Sequence, residues 1–399
     1  MRIMINCNMA KSIFPETPLF IPRAMDAQIL GLGLRFPAII MGATMVELRA
    51  KIADGFKMIS DIFIIDPETH KLLYKQASQK KAFKKISYPD VEFEKIYSNL
   101  KFRSSVIDRC IQYQIKKGAS ILIAPYFFSD DVEDNKFSLN ITLLAETIKY
   151  IQDKKIDLQL FAMVYVGTQA LARTATINFI ADRYTNEFSN YLGGYFVAVS
   201  DIDGRKSSSN DLLGFAYLIY RLSLRNHVIV NSVGDFGGVL SAIGAIGFSS
   251  SLMTGESISV KLLQAAPKKM KSRVKEWTYV PEIFNYANDA EVKKIGYKCP
   301  CPACKNSFPV GATAKKQHFF FRRMSSMEEL RLIDPSKRLD YMAGRISDAK
   351  KLVVGYVKRF KSPFKTDYLD RWEEVLRVAA KWAPPEDEDE LSAIIAELE

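Results

Sequence analysis

Leu158-Gln-Leu-Phe-Ala-Met-Val-Tyr-Val166, the amphipathic run from Thr176 to Asn190, and Tyr195-Phe-Val-Ala-Val199 decide the fold class. Two short apolar segments, rich in β-branched and aromatic residues, flank one helical pattern. Strands that are apolar at nearly every position are buried on both faces, as parallel strands covered by helices are. The unit recurs in both directions. Upstream, Phe36–Gly42, Asp61–Ile65 and Ser120–Ala124 read as strands, with helices over Met45–Phe56, Asn99–Lys117 and Leu139–Lys154. Downstream come a helix over Asp211–Leu224, a strand over His227–Val230, a short helix over Gly237–Ile246, and Gly247-Phe-Ser-Ser-Ser-Leu252. About seven or eight such units before residue 255 predict a (β/α)8 barrel of the TIM type. An open parallel sheet is the alternative, although no Gly-x-Gly-x-x-Gly follows the first strand.

Outside this frame the chain changes character. Residues 1–260 are assigned to the barrel, 261–330 to a basic linker with a cysteine cluster, and 331–399 to a helical C-terminal region. The 399 residues carry a formal net charge of +11. Excess positive charge points to a polyanionic partner, with nucleic acid, DNA or RNA, foremost. The basic groups cluster at Lys268, Lys269, Lys271 and Arg273, and again at Lys350, Lys351, Lys358 and Arg359. No run of eighteen or more apolar residues occurs, so no membrane-spanning helix is expected. The N-terminus lacks the long apolar segment of a signal peptide, and the cysteine usage fits a reducing, cytoplasmic setting.

The cysteine cluster is the most specific local signal. Tyr297-Lys-Cys-Pro-Cys-Pro-Ala-Cys304 holds three of the five cysteines, and His318 follows in Lys316-Gln-His-Phe-Phe-Phe-Arg-Arg323. Cys299, Cys301, Cys304 and His318 make a Cys3His set suited to a tetrahedral structural zinc. Prolines at 300 and 302 stiffen the turn, and His318 is placed near the start of a helix.

In a parallel barrel the chemistry gathers at the C-terminal ends of the strands. That rule selects Asp66, Asp201, Asp203 and Asp235 as candidate catalytic carboxylates. It selects Tyr126 and Tyr165 as substrate contacts, and Ser249 and Ser250 as hydroxyls able to hold a substrate or phosphate. Asp201 and Asp203 are spaced to face the same way as a carboxylate pair, with one group serving as acid or base for the other.

A strand-and-helix barrel followed by Cys-x-Cys-x-x-Cys and a later histidine resembles the tRNA-guanine transglycosylases. It is also similar to their DNA-directed relatives, which insert 7-deazaguanine bases. The resemblance spans roughly residues 30 to 350. It implies a (β/α)8 barrel, a structural zinc, and exchange of guanine for a deazaguanine-type base through a covalent nucleotide–aspartate intermediate. Asp66-Pro-Glu-Thr-His70 stands where the family reads Asp-Ser-Gly-Gly-Phe-Gln. Gly247-Phe-Ser-Ser-Ser251 holds the place of the family's nucleophilic aspartate, and Tyr165-Val-Gly167 that of its base-reading Gln-Gly-Gly. The nucleophile then comes from elsewhere, such as Asp201, Asp203 or Asp235, or exchange is gone. In that second case the chain is a non-catalytic, zinc-containing nucleic-acid-binding barrel in a larger modification complex. A homodimer is a further partner expectation. A third reading is an enzyme of a small phosphorylated metabolite, bound near Ser249–Ser251.

Overall fold

A computed structural model describes residues 14, 18–23, 27–89, 92–250, 257–264 and 277–382. Six strands form a curled, all-parallel sheet: β1 (Leu19–Pro22), β4 (Leu122–Ile123), β5 (Leu160–Val166), β6 (Gly194–Val199), β7 (His227–Asn231) and β8 (Gly247–Ser250). Their order is β1-β8-β7-β6-β5-β4. β2 (Phe36–Gly42) and β3 (Ser60–Asp66) form a separate parallel pair. The register of β5 on β6 runs from Phe161 opposite Gly194 to Val166 opposite Val199.

Each strand contributes to two apolar layers with a period of two, because successive side chains leave opposite faces of a strand. Ile21, Ile40, Ile62, Ile64, Phe161, Met163, Phe196 and Ile229 join one buried cluster. That cluster draws on both sheets. Phe20, Ile39, Phe63, Val164, Val197 and Val230 belong to the other, which is shared with the helices. Crossover helices Asn135–Lys154, Thr174–Phe188, Ser209–Ser223 and Phe236–Ile243 join β4 to β8 in turn. Their starts carry side-chain caps where the sequence offers them: Asp134 accepts from the Lys136 N–H and Ser208 from the Asp211 N–H.

Several elements depart from the sequence reading. β1 was not foreseen: it is four residues bounded by Pro18 and ending at Pro22. The helix expected over Met45–Phe56 is two helices, Ala43–Leu48 and Ala50–Ile59, separated at Arg49. Beyond the basic segment, β9 (Trp277–Val280) and β10 (Asn285–Asn288) form an antiparallel hairpin that the sequence reading passed over. Lys268, Lys269, Lys271 and Arg273 lie outside the described residues, as does Ser251.

The C-terminal region is helical, with helices Gly311–Leu332, Arg338–Phe360 and Asp367–Ala379. The first packs on the sheets through Phe319 against Phe20 (ring centroids 6.2 Å) and Phe320 against Phe36 (5.6 Å). The last is held by Trp372, whose ring N–H donates to the Gly204 carbonyl (2.6 Å) in the loop after β6. Among the described residues no helix is long and apolar enough to cross a membrane.

Candidate active site and metal centre

A cavity of about 200 Å³ opens at the C-terminal ends of the strands, lined among others by Arg23, Asp66, Glu68, His70, Tyr126, Tyr165, Asn231 and Ile258. Asp66 ends β3 and is almost wholly buried. Its Oδ2 accepts from Arg23 (3.0 Å), and its Oδ1 accepts from the Tyr126 hydroxyl (2.7 Å) and the Glu68 N–H (3.0 Å). Arg23 follows β1 directly and also donates to Asn231 Oδ1 at the end of β7 (2.6 Å). Ser249 sits one layer below: its hydroxyl donates to the same Asn231 oxygen and accepts from the Ser232 N–H (3.1 Å). Ser250 contributes its carbonyl, which accepts from the Arg23 N–H (2.9 Å). The two serines therefore lie beneath the cavity, holding the groups that line it.

Glu68 is a second carboxylate of this cavity. Its backbone is left-handed (φ 55°), which turns the side chain back over Gly42. A Cβ on Gly42 would come within 2.5 Å of Glu68 Oε1, so any side chain there would have to push the Glu68 carboxylate aside. Oε2 accepts from the Thr44 N–H (2.8 Å), and Oε1 pairs with Lys71 (2.5 Å). Burial pushes the Glu68 carboxyl up, but Lys71 and the Thr44 contacts outweigh it and bring the pKa down to about 2.

His70 is pushed the other way. Burial lowers its pKa from the usual 6.5 to about 4, against the pull of Asp66. Its ring lies on Tyr126 (5.1 Å) and edge-on to Tyr165 (5.5 Å). His70 Nδ1 and the Tyr165 hydroxyl are buried without a hydrogen-bond partner. The sign of the linkage is clear, since the unfolded chain takes up the His70 proton first. His70 therefore subtracts stability as pH falls from about 6.5 to about 4. Between pH 7 and pH 5 the expected loss is about 2 kcal/mol from this residue. Urea melts at the two pH values, on the parent chain and on His70→Phe, measure it. An equal loss in both chains removes His70 as the source.

The other predicted carboxylates lie elsewhere. Asp201 and Asp203 do not face the same way. Asp201 is left-handed (φ 65°), 36% exposed at its side chain, and 3.8 Å from Lys261. Its N–H donates to the Ile258 carbonyl (2.7 Å), which puts it at the rim of the Asp66 cavity. Asp203 turns into a different cavity and pairs with Lys206 (3.0 Å). Burial raises its carboxyl, but the Arg205 N–H and Lys206 prevail and hold it below the usual range. Asp235 points away from the strand-end cavity toward the Gly311–Leu332 helix. It pairs with Arg323 (3.2 Å) in a fully buried ion pair and accepts from the Tyr279 hydroxyl.

The cysteine segment folds into a tight knuckle. Cys299 bridges Ser307, and Lys305 and Asn306 both take left-handed backbone to close the turn. The four ligand atoms of Cys299, Cys301, Cys304 and His318 lie within 4.8 Å of one another, and all four residues are buried. His318 Nδ1 is 3.5 Å from Cys301 Sγ and 3.3 Å from Cys304 Sγ. Its Nε2–H donates to the Tyr279 carbonyl on β9 (2.7 Å), which leaves Nδ1 as the ligand atom. This cluster can hold a metal ion.

No protein-family model matches the chain, and no curated protein does. What the two sites can do follows from their own groups.

Of the second basic cluster, Lys350 is engaged inside the molecule, with Asp370 (2.7 Å) and Glu373 (2.6 Å). Lys351 pairs with Asp348 (2.9 Å), and Arg359 lies 5.1 Å above the Phe360 ring. Lys351, Lys358 and Arg359 are exposed. Arg23, Glu68, Lys71 and Asn231 were missed as cavity residues, whereas His70 was a weaker candidate from its place near Asp66. His70 and Glu68 had a weak signal, lying in the strand-end loop after Asp66. Arg23 had none without β1.

Proposed function

We propose that the chain is a base-exchanging glycosyltransferase of nucleic acid, resembling the tRNA-guanine transglycosylases and their DNA-directed relatives. In this reading the two parallel sheets are one (β/α)8 barrel. Support comes from the Arg23–Ile40 bridge beside β1 and β2, and from the Ser120 N–H donating to the Phe63 carbonyl (2.8 Å) beside β3 and β4. The metal is a structural zinc, because three sulfurs and one imidazole favour zinc and leave no position open for water.

One observation carries the functional reading: two buried polar atoms, His70 Nδ1 and the Tyr165 hydroxyl, have no partner in a cavity that also holds a carboxylate. Buried polar groups are ordinarily satisfied, so such a pair marks a place where a ligand completes the hydrogen bonding. The cavity of about 200 Å³ is smaller than the roughly 300–1,000 Å³ of drug-sized sites. It suits one planar heterocycle, against the rings of Tyr126, Tyr165 and His70, and not a whole nucleotide.

Asp66 serves as nucleophile in this scheme. Its carboxylate attacks the anomeric carbon, the glycosidic C–N bond breaks, and the departing guanine takes a proton. The incoming base then loses its ring N–H proton and displaces Asp66. Arg23 fixes the carboxylate's direction, and neutral His70 faces the base. The test is incubation of the full chain with DNA and RNA, single-stranded and duplex, and labelled guanine or 7-deazaguanine. Label enters the polymer, and a covalent protein–nucleic acid adduct survives a denaturing gel. No incorporation and no adduct with any polymer overturns the reading.

A second reading, nucleic-acid binding without exchange, draws on the full engagement of Asp66, whose two oxygens already accept three hydrogen bonds. It gives binding without an adduct in the same experiment.

A further inference from the structure

We propose that a second, larger cavity binds a single-stranded stretch of nucleic acid beside the nucleotide whose base enters the Asp66 cavity. This rests on the nucleic-acid part of the reading above, but not on base exchange. The cavity has about 690 Å³ and lies between the loop after β6, the β9–β10 hairpin and the start of the last helix. The same loop serves both cavities. The Asp201 N–H donates to the Ile258 carbonyl at the Asp66 cavity, and Asp203, Arg205 and Lys206 line the larger one.

The lining combines cations with flat apolar rings. Arg205, Arg371 and Lys365 stand among Trp277, Tyr286 and Phe364. The Arg205 guanidinium lies 5.1 Å above the Tyr286 ring and donates to Asn285 Oδ1 (3.4 Å). Arg371 donates to the Arg205 carbonyl, and its buried Nε has no hydrogen-bond partner. Three acids share the lining. Asp203 is paired with Lys206 (3.0 Å), Glu291 lies 3.7 Å from Lys294, and Asp367 is the third. With two acids engaged by lysines, the remaining balance is positive. Bases stack on aromatic faces while phosphates take the cations, which is how unpaired strands are held without reading their sequence. The cavity has more than three times the volume of the Asp66 cavity, room for sugar and phosphate as well as a base. An acidic peptide would use the cations and leave the rings unused.

Tryptophan fluorescence reads this site directly. Of the three tryptophans, Trp372 is fully buried and Trp382 packs on Tyr217 and Tyr220 (both 5.2 Å), so Trp277 is the one at the cavity. The full chain is titrated with single-stranded DNA and RNA dodecamers of matching sequence, with the duplex, and with an acidic peptide. Either single strand quenches saturably, the tighter of the two names the polymer, and Trp277→Phe abolishes the quench. The double variant Arg205→Gln/Lys365→Glu binds at least about 10-fold more weakly. Its circular dichroism melt is compared with the parent, and the single variant at exposed Lys365 repeats the measurement if the double variant melts early. Unchanged affinity in folded variants overturns the inference, as does tighter binding of duplex or peptide than of either strand. Base exchange is followed on the same variants. A raised KM with unchanged kcat supports the site, and an unchanged KM overturns it while leaving exchange standing. Quenching by a chain that never exchanges bases supports this site and overturns the exchange reading.

Discussion

Cys301→Ser is expected to release the metal and lower stability by at least about 4 kcal/mol, with a fall in Tm on the order of 5–10 °C. The size follows from what the knuckle joins. Cys299, Cys301 and Cys304 come from one turn, and His318 comes from the Gly311–Leu332 helix. The same helix carries Phe319 and Phe320 onto β1 and β2, and Arg323 onto Asp235. The Arg323 cation also lies 4.9 Å from the Tyr279 ring, and Tyr279 receives the His318 N–H. The cysteine–histidine cluster, the hairpin, the helix and Asp235 in the loop after β7 thus form one chain of contacts. Without metal, three thiols and an imidazole are packed together in a buried site. The Cys304 thiol donates to Cys299, burial opposes it, and the Cys299 pKa still falls to about 3. Elemental analysis of the parent chain should give about one zinc per chain, and a strong chelator should reproduce the effect of the substitution. Limited proteolysis should then cut between residues 300 and 360 first, while the sheets stay protected. A metal-free parent with an unchanged melt would sink both the zinc and its tie to the C-terminal helices.

The sequence carried the parallel strands well where packing alone decides. β5 and β6 are apolar throughout, and their residues are buried on both faces. It carried the Cys299, Cys301, Cys304 and His318 cluster because ligand chemistry needs its residue types at close spacing, and spacing is visible in a sequence. It failed at β1, whose four residues, preceded by Pro18 and ending in Pro22, show neither length nor alternation. Losing β1 also lost Arg23. The strand-end rule found Asp66, Tyr126 and Tyr165 at the cavity, and it placed Asp203 and Asp235 at strand ends too. It could not say which way they turn. A strand end fixes height along the sheet, but the direction of a loop residue depends on partners far away in the chain. Asp235 is turned by Arg323 and Tyr279, Asp203 by Arg205 and Lys206. Glu68 and His70 became cavity residues through the left-handed turn at Glu68, an uncommon conformation for a residue other than glycine.

Asp66→Asn is expected to abolish the adduct and cut base exchange by at least about 1,000-fold, since an amide is no nucleophile toward the anomeric carbon. The substitution keeps the size and can still accept from the Tyr126 hydroxyl and the Glu68 N–H. It removes the charge opposite Arg23, whose side chain is 13% exposed against 2% for Asp66. Leaving a largely buried cation unpaired costs about 3–5 kcal/mol, so a fall in stability must be separated from a loss of chemistry. Two controls do so. Arg23→Met/Asp66→Asn removes both charges and should recover much of the stability without recovering exchange. Asp201→Asn and Asp203→Asn should keep the adduct, because Asp201 stands at the rim with Lys261 and Asp203 lines the other cavity. The readout is single-turnover incorporation of labelled base, run below the melting range of every variant. An adduct that persists in Asp66→Asn and vanishes in Asp201→Asn would move the nucleophile to the rim. Asp66 would then be the group that orients Arg23 and Tyr126 around the base. Persistence in all three variants would leave the four predicted carboxylates without a nucleophile among those at the strand ends, since Asp235 is locked to Arg323 in the opposite direction.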